Sequence, residues 1–228
     1  MINLLNYFNR FKLKQFCIFT YYQNLLNTTK NSVTEKRFML QNMASKSCIK
    51  LIELFFSHKD SVHVKTVFLG EANLVFDTSK ITEREIVQCF QQLGFSVIND
   101  PEIEIVERVK VAAIELIYYA NNTNSLIRNS DYISERVQLP YDKISKVFSK
   151  VTNTTLEKYI ILLKIEKAKE LLFKNDYTLS EIAYMLGYSS VHYLSNQFKK
   201  VTGFSVSQYK SLDEPHRIPL ENLLDNTF

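Results

Sequence analysis

The sequence is poor in glycine, proline and cysteine, and it has no long apolar run. Four Gly and four Pro among 228 residues are too few for a turn-rich β-sandwich, so the composition favours helices. The three cysteines, Cys17, Cys48 and Cys89, are odd in number and widely spaced, which predicts no disulfide framework and fits a reducing compartment. No apolar run approaches the roughly 18 residues of a membrane span, so we expect no membrane association and a cytoplasmic location.

The motifs of several enzyme classes are also missing. There is no Gly-x-Gly-x-x-Gly loop, no P-loop, no Gly-x-Ser-x-Gly nucleophile motif and no helix motif with two histidines. We therefore expect a protein that is not an enzyme and that needs no cofactor.

The charge is only mildly basic, with a net value of +4. The cations Arg10, Lys12, Lys14 and Lys30 precede the first acidic residue, Glu35, and they equal the whole excess. The rest of the chain is balanced, so charge alone does not indicate a nucleic-acid partner.

The length suits two domains, and 46% apolar residues are enough for packed cores. The predicted parts are an N-terminal extension (1–34), a front domain (35–100), a linker helix (101–121), a helical domain (115–211) and a C-terminal tail (212–228). The extension is rich in aromatic residues and Asn without a clean period. It is expected to be an appended segment, sequence upstream of the true start, or an arm that contacts a membrane surface or DNA.

The front domain alternates strand and helix patterns. Strands are predicted at 37–42, 61–69, 71–76 and 95–99 from alternating apolar residues, and helices at 46–56 and from Thr82 onward. Thr82 and Glu85 predict a capping box, and Gly94 ends the helix. The order βαββαβ is typical of a ferredoxin-like unit, so the predicted fold class is α+β, with an all-α second domain.

The helical domain contains an internal repeat with a constant offset of 50 residues. The segment 142–159 recurs as 192–209, with identical pairs that include Ser145/Ser195, Phe148/Phe198 and Tyr159/Tyr209. In each copy a short helix, a tight turn and a second helix are predicted. Thr178 and Glu181 are expected to form a capping box at the first helix of the second copy, and Thr154–Glu157 and Ser205–Gln208 are expected to form further boxes.

The turn and core residues of the two copies correspond. Gly187 is expected to end the first helix of the second copy, and Asn153 is expected to take the left-handed conformation that Gly203 takes. Pro140 is expected in the first turn of its helix. The inward residues are Ile144 and Phe148 in one copy and Leu194 and Phe198 in the other, which leaves a polar face on each second helix. Between the copies a helix from Thr155 to about Phe173 would be roughly 28 Å long.

The stretch from Thr178 to Gly203 resembles the signature of the arabinose-regulator (AraC/XylS) family of bacterial transcription regulators. The resemblance covers about residues 115–211 and includes Ile182-Ala183, Gly187 and Phe198-Lys199-Lys200; Val206 stands where the family usually has Pro. It implies two helix-turn-helix units on one linker helix, whose second helices enter successive major grooves of promoter DNA about 34 Å apart. A helical bundle that does not bind DNA is the alternative.

By position, the resemblance implies two kinds of DNA-binding residue. Base contacts are expected from the first unit at Asp142, Ser145 and Lys146, and from the second unit at Val191, His192, Ser195 and Asn196. Phosphate contacts are expected at Lys150, Lys199 and Lys200, which position a protein on DNA without reading its sequence.

Residues 37–99 resemble a heavy-metal-associated domain, the fold of small copper chaperones. That family has Met-x-Cys-x-x-Cys, and here Met43 and Cys48 align while Ser45 replaces the first cysteine. A hydroxyl is a poor ligand for Cu(I), so no metal site is predicted. Three hypotheses stay open: a dimerisation or effector module without metal, one metal shared by Cys48 of two protomers, or Cys48 as a regulatory thiol.

The sequence thus predicts a one-component transcription regulator of the AraC type, in which a degenerate metal-binding-like domain controls a double helix-turn-helix domain. The expected partners are double-stranded promoter DNA, RNA polymerase if the protein is an activator, and a second copy through the front domain. The alternative is a soft-metal-handling or thiol-switch module in which DNA binding is secondary.

Overall fold

The computed structural model describes residues 32–119, 129–212 and 216–224. Nearly all of the predicted extension, including Cys17, lies outside the described residues. The predicted interruption at Asn121–Ser125 also lies outside them.

The front domain contains a four-stranded antiparallel sheet with two helices. Along the chain, the elements are β1 (Val33–Gln41), α1 (Lys46–Ser57), β2 (Val62–Phe68), β3 (Glu71–Asp77), α2 (Glu83–Gln92) and β4 (Ser96–Val97). The strand order is β2-β3-β1-β4, and every neighbouring pair is antiparallel. The element order is thus the predicted βαββαβ.

Buried and half-buried residues alternate along β3, and this alternation explains how the sheet buries one face. Ala72, Leu74 and Phe76 are buried on that face, in contact with the apolar sides of α1 and α2. The ring of Phe90 lies 5.5 Å from that of Phe38 and 5.3 Å from that of Phe56. The predicted capping box of α2 is present, since Thr82 accepts from the Glu85 amide while Glu85 accepts from the Thr82 amide.

Two strand boundaries differ from the prediction. β1 begins at Val33 rather than Arg37, because its polar first half pairs with β3 and is held by ion pairs of Lys36 with Glu83 and of Lys65 with Glu35. Because these side chains are polar, the first half of β1 lacks the alternation of apolar residues from which strands were predicted. β4 is shorter than predicted and contains only Ser96 and Val97.

The second part of the chain is helical. Its elements are α3 (Pro101–Ile114), a π-helical turn (Glu115–Tyr119), α4 (Asn129–Val137), α5 (Tyr141–Thr152), α6 (Leu156–Lys174), α7 (Leu179–Met185), α8 (Val191–Thr202), α9 (Val206–Lys210) and a 3₁₀ turn (Leu220–Asn222). Within the described ranges, no helix has both the length and the apolar character that a membrane span requires.

The predicted linker helix is part of a domain core. Val109 and Ala113 of α3 are fully buried and pack with Phe148 and Tyr159 of the first helix-turn-helix unit. On the opposite side, the β2–β3 turn approaches α3 so closely that a Cβ at Gly70 would lie 3.1 Å from Val111 Cγ2. Gly70 also has φ +81, a conformation that favours glycine.

The C-terminal residues 216–224, predicted as a tail, pack on the helical domain. Leu223 is 2% exposed in the core of the first unit, and the Ile218 amide donates to Glu166 Oε2 at 3.1 Å. The segment therefore contacts both the first unit and α6.

Candidate nucleic-acid interface

The second helix-turn-helix unit consists of α7, a tight turn and α8. Thr178 begins α7 with the predicted capping box, and Glu181 Oε2 accepts from the Thr178 amide at 2.7 Å. Gly187 has φ +66, and the turn is closed by the Tyr188 amide, which donates to the Ala183 carbonyl at 2.9 Å. Ser190 then caps α8 by accepting from the Tyr193 amide. These local bonds fix the direction in which α8 leaves the turn.

The two faces of α8 differ sharply. Leu194 and Phe198 are fully buried, whereas the opposite face is polar. Of the predicted DNA-binding residues on this helix, His192, Asn196, Lys199 and Lys200 are exposed, and Val191 and Ser195 are half-buried. Their helical spacing places donors, acceptors and cations on one surface.

His192 and Asn196 form a pair on that surface. Asn196 Nδ2 lies 3.0 Å from His192 Nε2, one helical turn away. When the amide donates, Nε2 is the acceptor. The pair orients the Asn196 carboxamide, the group whose bidentate bonding to adenine is a common form of direct base recognition.

An aromatic residue on the same helix was not predicted. Tyr193 is 51% exposed beside His192, and its ring lies 5.8 Å from that of Tyr188. Its equivalent in the first copy is Lys143, which is also exposed. The signal in the sequence was the repeat offset, which pairs Tyr193 with the charged residue Lys143.

The first unit, α4–turn–α5, has the same plan. Ile144 and Phe148 are fully buried, Asp142 and Lys146 are exposed, and Ser145 is half-buried. A face of mixed charge and polarity thus recurs on α5.

Lys150 is in a different setting from its repeat partner. Its Nζ donates to both carboxylate oxygens of Glu102, at 2.8 and 2.7 Å, and thereby contacts α3. Lys200 is exposed, with no ion pair to any described residue. Of the three predicted phosphate contacts, Lys150 is therefore engaged within the protein.

The tight turns of the two units have equivalent hydrogen bonds, but a different residue takes the left-handed conformation in each. The Leu139 amide donates to the Ser134 carbonyl, as Tyr188 does to Ala183, so Gln138 is the counterpart of Gly187. Gln138 takes a left-handed φ of 58, which is uncommon without glycine. Pro140 stands just before α5 as its N-cap residue rather than inside its first turn.

The caps that follow α5 and α8 are partly as predicted. Asn153 and Gly203 are both left-handed, and Ser205 and Gln208 form their capping box. The expected Thr154–Glu157 box is wrong. Thr155 caps α6 instead, by accepting from the Lys158 amide, and lysine cannot return the bond as a glutamate would.

Cys48 lies apart from these helices. Its Sγ is 3.6 Å from Ser45 Oγ in the first turn of α1, and its side chain is half-buried on a groove between the front domain and α3. Met43, the other aligned position, is 3% exposed in the core of the front domain. Among the described residues, no three His, Cys, Asp or Glu side chains are grouped so as to hold a metal ion.

Comparison with known proteins identifies the helical part. A family model described as a helix-turn-helix domain matches residues 133–211. A helix-turn-helix-type transcriptional regulator of Pseudoalteromonas carrageenovora, from the cgkA 5′ region, is 34% identical over 95 residues, which is 42% of this chain and 55% of that protein.

Two further proteins are similar over longer stretches. The xylose operon regulatory protein of Escherichia coli K12 is 22% identical over 160 residues, 67% of this chain and 40% of that protein. The C-terminal domain of the response regulator AraT from Geobacillus stearothermophilus aligns with a TM-score of 0.41 at 23% identity, over 53% of this chain and 89% of that chain. The chain thus spans about half the length of the curated relatives that it matches.

Proposed function

We propose that this chain, whose residues 133–211 match a helix-turn-helix domain model, is a transcription regulator of the AraC type that binds promoter DNA through both of its helix-turn-helix units. The relatives with this domain are transcription regulators. A regulator of this kind works where the chromosome is, so we place it in the cytoplasm.

One observation carries the proposal most strongly. The polar faces of α5 and α8 are equivalent under the repeat, and each lies opposite a fully buried Leu or Ile and a fully buried Phe. A helix that is anchored in this way presents its exposed side chains as a unit to the major groove. We assign base contacts to Asp142, Ser145, Lys146, Val191, His192, Ser195 and Asn196, and phosphate contacts to Lys150, Lys199 and Lys200.

The test begins with selection of a preferred site from random duplexes. Asn196→Ala and His192→Ala are then expected to lose about 1–3 kcal/mol of discrimination between that site and random DNA, if each makes a good base contact. Because the two side chains are hydrogen-bonded to each other, the double variant should lose less than the sum of the single losses. Fluorescence anisotropy at fixed salt measures each value.

Lys199→Ala is the matched control on the same helix. Removing a phosphate contact should weaken binding to preferred and random duplexes equally and reduce the salt slope by about 0.9 for each phosphate lost. Failure to select any preferred sequence would overturn the proposal. Equal losses on both duplexes for Asn196→Ala would remove its assignment as a base contact.

We also assign the front domain to the ferredoxin-like class, which the strand order β2-β3-β1-β4 and the antiparallel pairing support. We propose that the front domain has a regulatory role, because it contacts α3, which belongs to the core of the first unit. The copper-chaperone resemblance implies a metal-dependent signal, but Met43 is buried in the core of the front domain, and no three His, Cys, Asp or Glu side chains of the described residues are grouped so as to hold a metal ion. We therefore favour an effector or dimerisation module over metal handling.

Two partners follow from this role. A second copy would associate through the front domain, and RNA polymerase would be contacted if the regulator activates transcription. Sedimentation of the full chain at several concentrations tests the first expectation, and transcription from the selected site in a purified system tests the second.

A further inference from the structure

Two adjoining cavities lie where the front domain contacts the helical domain. The first, of about 320 Å³, is open to solvent on one side and is bordered by the β2–β3 turn, the sheet, α3 and the end of α4. The second, of about 500 Å³, continues toward α1 and the π-helical turn. They share four wall residues, Phe68, Leu69, Glu115 and Arg136, so they are parts of one groove.

The first cavity is lined by three arginines. Arg37 is paired with Glu71 at 2.6 Å, and Arg136 binds Glu115 through two bonds of 2.9 and 3.1 Å. Arg108 is half-buried and donates through one guanidinium nitrogen to the Val137 carbonyl at 2.7 Å. It forms no ion pair with a carboxylate of the described residues, so most of its donors are available.

The balance of charge in the groove is positive. Lys46 in the second cavity joins the three arginines, and these four cations face two carboxylates, which leaves a net charge of +2 on the described lining. A guanidinium that is partly withdrawn from water and lacks a carboxylate is suited to an anionic oxygen group, which it can bind through two parallel bonds.

The second cavity has an apolar and aromatic wall. Ile49, Phe68, Leu69, Tyr119 and Tyr132 line it. Phe68 is 58% exposed, so its ring is accessible from the groove. The charged end and the aromatic end thus meet at Phe68 and Arg136.

We propose that this groove, which we name the arginine groove, binds a small organic anion with an aromatic or apolar body. The carboxylate or phosphate group would lie against Arg108, and the body would cover Phe68 and the two tyrosines. The volumes lie within the usual range of small-molecule sites.

Occupation of the arginine groove would join three parts of the molecule. Its walls come from the front sheet, from α3 and from α4 of the first helix-turn-helix unit. A bound anion would therefore stabilise one arrangement of the front domain on that unit. Any effect on promoter binding rests on the proposed function, whereas binding of the anion itself does not.

The test uses the full chain without DNA and three probes: phenyl phosphate, inorganic phosphate and benzyl alcohol. Isothermal titration at constant ionic strength should show the tightest binding for phenyl phosphate, weaker binding for inorganic phosphate and none for benzyl alcohol. Arg108→Gln should weaken binding of phenyl phosphate at least tenfold. Phe68→Ser should reduce phenyl phosphate binding to the level of inorganic phosphate and leave inorganic phosphate unaffected.

The control is Arg84→Gln, which removes the same charge from an exposed position on α2 and should leave all three titrations unchanged. Equal binding by the wild type and Arg108→Gln, or an equal loss in Arg84→Gln, would overturn the proposal. If Arg108→Gln does not fold, Phe68→Ser decides, because its side chain is exposed: an unchanged preference for phenyl phosphate over inorganic phosphate would count against the groove. Since DNA is absent, failure here leaves the DNA-binding test independent.

Discussion

At the scale of single residues, the repeat places identical side chains in different surroundings. Tyr159 and Tyr209 are equivalent, and both are buried against the phenylalanine of their own unit. The Tyr209 hydroxyl donates to the His216 carbonyl at 2.8 Å, whereas the Tyr159 hydroxyl has no hydrogen-bond partner among the described residues. Burial raises the pKa of Tyr159 far above its ordinary value, so it stays neutral.

This difference predicts opposite outcomes for one substitution. Tyr209→Phe should reduce the free energy of unfolding by about 0.5–1.5 kcal/mol, because a hydrogen bond is lost. Tyr159→Phe should leave it unchanged or raise it, because a buried polar group without a partner is removed. Urea unfolding of the two variants measures both, and each is the control of the other. A loss of the same size in Tyr159→Phe would show that its hydroxyl has a partner, such as a buried water.

At the scale of elements, a tyrosine joins the start of α5 to the start of α6. The Tyr141 hydroxyl donates to Glu157 Oε1 at 2.6 Å, and this bond is the main reason that the pKa of Glu157 lies below its ordinary value. A carboxyl with a lowered folded-state pKa contributes stability at pH values above its ordinary pKa. That contribution is lost as the pH falls through the folded-state value.

Tyr141→Phe should therefore raise the pKa of Glu157 toward its ordinary value and make the stability depend less on pH in the acid range. Carbon-detected NMR titration of the Glu157 carboxyl in both proteins measures the change. Glu181, whose pKa is lowered by its bonds to Thr178, serves as an internal reference and should not move. An unchanged Glu157 titration would mean that the α5–α6 bond does not form in solution.

The elements also show what the sequence could predict. Helix ends that depend on neighbours in the chain were predicted at Thr82, Thr178 and Ser205, since a capping box needs only residues three apart. The same logic failed at Thr154, because the adjacent Thr155, which the repeat offset pairs with Ser205, is the residue that caps the helix. Gln138 was not predictable as left-handed from its residue type, because that conformation is uncommon without glycine.

Contacts between distant parts of the chain could not be predicted from the sequence. The approach of Gly70 to Val111 and the burial of Leu223 depend on how folded units meet. The exposed faces of α5 and α8 were predictable because they are the complement of a local apolar pattern. The ion pair of Lys150 with Glu102 was not, because it joins residues 48 positions apart.

At the scale of the whole molecule, that ion pair would set α3 in competition with DNA in the proposed promoter complex. Lys150 cannot bind Glu102 and a phosphate with the same donors, so the first unit would have to exchange one partner for the other on the proposed promoter. The pair is exposed, with 68% of the Lys150 side chain and 45% of the Glu102 side chain accessible. An exposed ion pair is worth little in water, at most about 1 kcal/mol, so DNA can displace it.

Glu102→Gln should therefore strengthen DNA binding at low salt, because Lys150 becomes available and a nearby negative charge is removed. The slope of log affinity against log salt concentration should steepen by up to about 0.9, the value expected for one further phosphate contact. Glu104→Gln removes the same charge two residues away, at a position with no ion pair to a described residue, and separates the two effects. If both variants shift the slope equally, general repulsion accounts for the change. If only Glu102→Gln steepens it and Lys150→Ala abolishes the gain, α3 regulates the first helix-turn-helix unit through this contact.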